Sequence, residues 1–415
     1  MMQYTDSKKK RNGVKKIEFF SLLAMIIVSF FAGFTTYSNY VMIPIMLLWI
    51  PYLMSLFERL KIDEKTFTKV SSAYLLIMFV YRTIGYSTDE VLFVLRDVAW
   101  IMSGVMAVYA MRFSSDKQLS TLFVVFTIVL LALLLVLNNK GRSLDMDEAA
   151  ATANAWIGSM FMLLTGFSLI CFIHIRSLLF RVVFVAILFL TLYLNFFILQ
   201  RGIVVIFTIF EMALIIVMSL KYRVLISFLF VAILFAFFFV YYSGYYVQFL
   251  DWMADVVPSD RLAIRFRQIS FALQYGDVEA GGGSLNARER LMGISWNTFT
   301  SNIGYFIFGA GAQRGNTVIG HHSFFLDILA TYGIIGGLLM LVYFIKQYKI
   351  IMSKLNKKLE PVLYSQCAVV FLFYIMRNYY GSMANSCINF MLLMYFPLLI
   401  EFIQKYKSEK NTIKI

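Results

Sequence analysis

Phe308–Gly337 reads FGAGAQRGNTVIGHHSFFLDILATYGIIGG, and its character changes part of the way along. Up to Ser323 it is polar and glycine-rich. From Phe324 onward the apolar residues recur as they do in a helix. The chain has three histidines, and two of them, His321 and His322, stand side by side at the change. An apolar helix that starts there predicts a membrane span, with the imidazoles at its mouth.

Composition extends this reading to the whole chain. The 415 residues are 60% hydrophobic and 14% charged, against about 25% charged in ordinary soluble domains. Runs long enough to cross a hydrocarbon core of about 30 Å recur throughout. The expected fold is an all-α polytopic integral membrane protein forming one membrane domain over residues 1–415. About twelve transmembrane helices are expected, starting near residues 17, 38, 70, 91, 119, 154, 178, 201, 224, 323, 361 and 383. The basic KKKRNGVKK before the first run has no cleavage-site pattern after it, so that run reads as an uncleaved first helix. Cys171, Cys367 and Cys387 all fall in apolar helices and read as small buried hydrophobes. Two connections are longer than the rest, residues 138–153 and 244–322. No internal repeat is visible.

Lysine and arginine placement sets the orientation. The basic N-terminus, the loops near 58–69, 112–118, 175–180, 221–223 and 346–360, and the tail KYKSEKNTIKI share one side. That side is expected to be the cytoplasm and to hold both termini, which puts the two longer loops outside. The inner side carries nearly all the lysines. The outer loops and outer span halves carry Lys140 and otherwise arginine. Arginine presents a planar fork that grips phosphate or carboxylate oxygens in pairs, and lysine does not. The outer face is therefore expected to meet an anionic, phosphate-bearing ligand. The competing reading is pairing with Asp89, Glu90, Asp97, Asp251, Asp255 and Asp260. Nucleic acid is not an expected partner.

In the long outer loop, DWMADVVPSDRLAIRFRQISFALQY predicts short amphipathic helices broken at Pro258, with Ser259 or Asp260 capping the second. GDVEAGGGSLN reads as a hinge. NARERLMGISWNTF predicts another helix, with Asn286 and Glu289 at capping-box spacing. Arg288 and Arg290 then lie about 200° apart around it. Arg290 shares a face with Ile294 and Asn297, and that face is expected to pack inward.

His322 falls at or just before the first turn of a span. An imidazole can accept a proton at neutral pH, and a helix N-terminus favours its neutral form. Asp327 is about 140° away on the same helix, a poor position from which to orient His322. No third histidine or suitably spaced cysteine completes a metal site on the outer face. Interfacial polarity competes with catalysis as the role of both histidines. Gly333 and Gly337 have the spacing of close helix packing. Arg201 opens a span in NFFILQRGIVVIF, and Glu211 lies within that span. A charged group at such depth is costly without a partner or a water-filled cavity. Glu211 is thus either functional or the partner of a buried polar group.

The order LQRGIVV, long outer loop, RLMGISWNTFTSNIGYFIFGAG and HHSFFLDILATYGIIGG resembles the superfamily of O-antigen ligases and Wzy-type O-antigen or capsular polysaccharide polymerases. The likeness covers roughly residues 190–340. With Gly333 as anchor, the family histidine falls on His322, Ser323 takes the place of the family asparagine, and His321 is an additional neighbour. The resemblance implies a GT-C-like membrane glycosyltransferase. It would act on undecaprenyl-diphosphate-linked oligosaccharide at the outer face of the bacterial cytoplasmic membrane, without a metal or other cofactor. Arg201, Arg265, Arg288, Arg290 and Arg314 become candidates for holding the diphosphate. His322 becomes the candidate base, with His321 and Glu211 behind it. A chain-length regulator protein is an implied partner. The histidine segment looks more like the polymerases than the ligases, which would instead deliver the glycan to lipid A core. A transporter or flippase is the reading from another class, and it expects sites near the midplane on repeated, broken helices.

Overall fold

A computed structural model describes residues 15–31, 44–49, 62–83, 91–143, 155–175, 177–195, 202–220, 245–257, 260–275, 284–311, 319–320, 323–353, 355, 360–379 and 386–412. Of these residues 92% are helical and none is in a strand, so the all-helical class holds. Among the described residues two helices are long and apolar enough to cross a membrane, Asp116–Val136 and Phe324–Met352. Shorter apolar helices accompany them, among them Val98–Phe113, Met160–His174 and Leu178–Tyr193.

The chain gathers into two compact units, each assembled from separate stretches. The first holds residues 1–140, 335–355 and 383–415. Its helices are α1 (Lys16–Phe31), α2 (Ile62–Thr83), α3 (Val91–Phe113) and α4 (Asp116–Ser143), with a further helical stretch at 44–49. Alpha 2 begins at Ile62, earlier than the expected start near 70. The reason is that Asp63, Glu64 and Lys65 form a polar first turn before the apolar part. Lys346 donates to Asp63 Oδ1 at 2.8 Å, and this holds the Asp63 carboxyl below its ordinary range. Alpha 4 runs on to Ser143, which shortens the connection expected from 138. It is apolar all round: Phe126, Leu130 and Leu133 are buried, while Val124, Ile128 and Leu135 are exposed.

The core of this unit is closed by one buried side chain. Asn389 Oδ1 accepts from the Tyr343 hydroxyl at 3.0 Å and from Gln347 Nε2 at 3.1 Å. Its Nδ2 donates to the Trp100 carbonyl and, at 3.4 Å, to Ser103 Oγ. A fully bonded amide in an apolar core fixes the register of the elements it joins.

The second unit holds residues 141–334 and 356–382. It contains α5 (Ala155–His174), α6 (Leu178–Tyr193), α7 (Gly202–Ser219), α8 (Tyr245–Val256), α9 (Asp260–Tyr275), α10 (Ser284–Thr300) and α11 (Ile303–Phe308). It also contains the start of α12 (Phe324–Met352) and all of α13 (Pro361–Tyr379). The first unit is completed by α14 (Ser386–Phe390), a π-helical turn Met391–Tyr395, and α15 (Phe396–Thr412). The starts of α1, α3, α5, α6, α7, α12 and α13 fall within a few residues of those expected. The span expected from 224 lies outside the described residues.

Within the second unit α5, α7 and α13 pack on one another, and α6 packs on α5. Alpha 6 buries Phe184, Ile187 and Thr191 and exposes Leu178, Leu179, Val182 and Phe189. Alpha 8 and α9 pair, as the loop's amphipathic pattern predicts. Alpha 9 starts at Asp260, next to the expected cap. Alpha 10 starts at Ser284, so Asn286 and Glu289 fall within the helix, later than the expected start.

Candidate functional site

Residues 302–311 fold against the first turns of α12 at a break in that helix. Alpha 11 is opened by Asn302, whose side chain accepts from the Tyr305 amide at 2.8 Å, and it closes at Gly309 with φ 81. The chain then lies along the first turns of α12. The Ala310 amide donates to the Ala330 carbonyl at 2.8 Å and the Gly311 amide to the Thr331 carbonyl at 3.1 Å. These carbonyls are accessible because α12 breaks at Gly333, where φ is 65 and ψ is −165. In an unbroken helix the amides four residues on would take them. The FGAG turn therefore supplies donors to acceptors that the break releases, as buried carbonyls require.

Gly333 thus differs from the expectation of helix–helix packing. It ends one helical segment and meets the backbone of the FGAG turn. A Cβ on Gly333 would overlap the Ile307 carbonyl, and one on Gly309 would overlap the Thr331 carbonyl.

The histidine dipeptide lies outside the described residues, but the residues on both sides of it are placed. Ser295 Oγ, from α10, accepts from the Gly320 amide at 2.9 Å and donates to Asp327 Oδ1 at 2.6 Å. Asp327 Oδ2 accepts from the Ser323 amide at 3.2 Å. Gly320 also presses on α10, where a Cβ would overlap the Leu291 carbonyl. Ser295 and Ser323 are both 0% exposed, so water does not compete for these bonds. The angle of Asp327 on its helix makes it a poor direct partner for His322. Its carboxylate instead holds the backbone next to that residue. Ser295 was not evident from the sequence; its signal is a polar position on the stripe of α10 that carries Phe299.

The candidate arginines separate. Arg201 and Arg314 lie outside the described residues, and the side chains of Arg265 and Arg288 do as well. Arg290 is exposed, and α10 buries Ser295 and Phe299 instead of the face that Arg290 shares with Ile294 and Asn297. The expected inward packing of that face is therefore corrected. Arg267 pairs with Asp255 at 2.9 Å between α9 and α8, with both side chains about two-thirds exposed. This is the local charge balance that competes with ligand binding, and at such exposure it contributes little. Arg377, in the last turn of α13, is 3% exposed. A cation is favoured at that end of a helix.

Glu211 is 0% exposed on the stripe of α7 that also buries Val204, Thr208 and Ile215. Its carboxyl packs into the notch left by Gly166 of α5, where a Cβ would collide with Oε1. Among the described residues neither oxygen has a hydrogen-bond partner. Further along the same helices the third histidine has a structural setting. His174 Nε2 bonds Gln366 Oε1 at 2.7 Å, and Gln366 Nε2 donates to Ser219 Oγ at 2.6 Å and to the Ile215 carbonyl at 3.1 Å. An unbonded buried polar group costs about 1–3 kcal/mol. Glu211→Leu is therefore expected to stabilise the detergent-solubilised protein by about that amount, read as a raised thermal midpoint. A lowered midpoint would show that the carboxyl has a bonded role.

No protein-family model matches the chain, and a comparison with curated proteins finds no significant match.

Proposed function

We propose that this protein is a polysaccharide polymerase of the cytoplasmic membrane, joining undecaprenyl-diphosphate-linked repeat units at the outer face. The observation that carries the reading is the pinned start of α12. The Ser295–Asp327 pair holds Gly320 and Ser323, on either side of the two histidines in the sequence, and the FGAG turn bonds Ala330 and Thr331 further along the apolar helix. The outward apolar side chains of α4 and α6 support a hydrocarbon surrounding, because a helix that is apolar on its exposed face suits lipid. About twelve spans, both termini inside and a GT-C-like arrangement complete the proposal.

In this reading His322 takes the proton from the attacking sugar hydroxyl as the new glycosidic bond forms. The bond from the anomeric carbon to the diphosphate breaks, and undecaprenyl diphosphate leaves with the electron pair. Direct attack inverts the anomeric centre. Arginine forks stabilise the charge that develops on the leaving group. Arg201 and Arg288 are the arginines proposed for this role, with Arg290 exposed on α10. A ligase shares the same core and differs in its acceptor.

With purified protein and a synthetic lipid-linked repeat unit, Arg201→Lys and Arg288→Lys are expected to lose nearly as much activity as the alanine variants. A point charge does not replace a planar fork. Arg290→Ala should stay near wild type. Full activity in both lysine variants would assign these arginines to local charge balance.

A further inference from the structure

Alpha 11 reads IGYFIF, and none of its residues is buried. Ile303, Phe306 and Phe308 are exposed, and Ile303 keeps 74% of its surface. Trp296, on α10, is exposed as well. Rings link the two helices: Trp296 lies 5.7 Å from Phe299, and Phe299 lies 4.9 Å from Phe306. Single exposed apolar residues are ordinary on a protein surface, whereas a contiguous patch marks something that covers it.

Two observations say what the cover is. The first is the level at which α11 is held. Directly after it, the amides of Ala310 and Gly311 donate to the carbonyls of Ala330 and Thr331, and a Cβ on Gly333 would meet the Ile307 carbonyl. These positions lie about 9–14 Å along α12 from its start at Phe324. They fall inside Ile328–Ile345, a run without a charged residue and in the length range of a membrane span. The second is the turn Thr300–Asn302 between the helices. It is polar and exposed, yet its side chains bond to their own chain. Thr300 Oγ1 donates to the Trp296 carbonyl at 3.0 Å, and Ser301 Oγ to the Thr298 carbonyl at 2.9 Å. Asn302 Oδ1 accepts from the Tyr305 amide at 2.8 Å, and its Nδ2 donates to Ser301 Oγ at 3.3 Å. Polar groups surrounded by lipid have to be satisfied internally, and these bonds do so.

We propose that α11 is a lipid-contacting element dipped into the outer leaflet, with Ile303, Phe306 and Phe308 against the acyl chains of the bilayer. This inference rests on the reading of α12 as a membrane span, and it does not depend on the transferase chemistry. Six helical residues cover about 9 Å, under a third of the hydrocarbon core, so the segment enters and leaves on the same side. Trp296 belongs at the boundary, where an indole packs its ring on lipid and keeps its N–H near water.

Fluorescence quenching on the full-length protein tests the placement. Ile303→Cys, Phe306→Cys and Phe308→Cys are each labelled with bimane and reconstituted into vesicles of phosphatidylethanolamine and phosphatidylglycerol. The unsubstituted protein supplies the background of its own cysteines, of which Cys171 and Cys367 are buried. Leu341→Cys, at an exposed apolar position of α12, is the lipid reference. Arg290→Cys, at an exposed position of α10, is the water reference. Labels at 303, 306 and 308 are expected to be quenched at least about twofold more than the label at 290 by nitroxide carried on the acyl chains, and about twofold less by aqueous iodide. If Phe306→Cys does not fold without its ring on Phe299, the other two variants carry the test. Iodide quenching without lipid quenching at 303 and 308 overturns the inference, because the patch then faces water. Protection from both quenchers also overturns it, and cross-linking of Ile303→Cys between molecules would then identify a second copy as the cover. Leu341→Cys separates this failure from failure of the parent reading. A lipid-quenched label at 341 beside α11 labels that lipid does not reach removes only the placement of α11. A label at 341 that iodide alone reaches removes the membrane span and this inference together.

Discussion

His322→Ala is expected to reduce chain growth by about 10²–10⁴-fold, the contribution of a general base, while leaving protein abundance and donor binding largely intact. The expectation combines the resemblance, which puts the family histidine at 322, with the placed neighbours Gly320 and Ser323. His321→Ala should keep substantial activity. The two single variants test the register. Should His321→Ala lose activity and His322→Ala retain it, the base sits one residue earlier. Should both stay active, the imidazoles are interfacial polar groups, and Glu211 and Asp327 become the next candidates. Asp327 would be the weaker of these, since its oxygens already hold Ser295 and Ser323. Growth is best scored in proteoliposomes with abundance controlled, because an unfolded variant would mimic the loss.

Gly333→Ala and Gly309→Ala are expected to fail at the level of folding. Both positions have φ in the left-handed region, 65 and 81, which costs an L-residue about 1–2 kcal/mol. The added Cβ would also meet backbone on the other side of the contact, the Ile307 carbonyl for Gly333 and the Thr331 carbonyl for Gly309. Backbone cannot swing away as the tip of a side chain can, so each variant should lose more than about 3 kcal/mol of stability. Gly293→Ala is the control. Gly293 lies inside α10 with open space around its Cα, and alanine in a helix interior is favoured by about 0.5–1 kcal/mol. Gly293→Ala should match or exceed the wild-type thermal midpoint in detergent, while the other two aggregate or melt far lower. Wild-type stability in Gly333→Ala would mean that α12 runs straight through residue 333.

These contrasts show which parts of the molecule were legible in the sequence. Hydropathy and 3.6-residue periodicity locate long helices well, so the starts of α5, α6, α7 and α13 were readable. Boundaries set in polar sequence were less so. The charged first turn of α2 is helical without being apolar, and a hydropathy reading skips it. Gly333 was read through a spacing rule that treats the helix as continuous. What breaks α12 is a tertiary contact with the FGAG turn, and no local pattern reports it. The two faces of α10 follow the same logic. Periodicity separates Arg288 from Arg290, but it cannot say which face turns inward until Ser295 and Phe299 are placed. The Ser295–Asp327 bond joins residues on two helices far apart in the chain, so neither looked special alone. For Glu211 the depth was readable from its place in an apolar run, while the lack of a hydrogen-bond partner among the described residues is a tertiary fact.

Glycosyl transfer between lipid-linked repeat units is the claim on which the rest depends. Wild-type protein, purified and reconstituted into proteoliposomes with a synthetic undecaprenyl-diphosphate-linked repeat unit as the only substrate, tests it directly. The account predicts a ladder of lipid-linked glycans rising by single repeat units, with release of undecaprenyl diphosphate and no ladder in His322→Ala. Donor that crosses the bilayer unchanged, with no new glycosidic bond, would contradict it and make the protein a transporter.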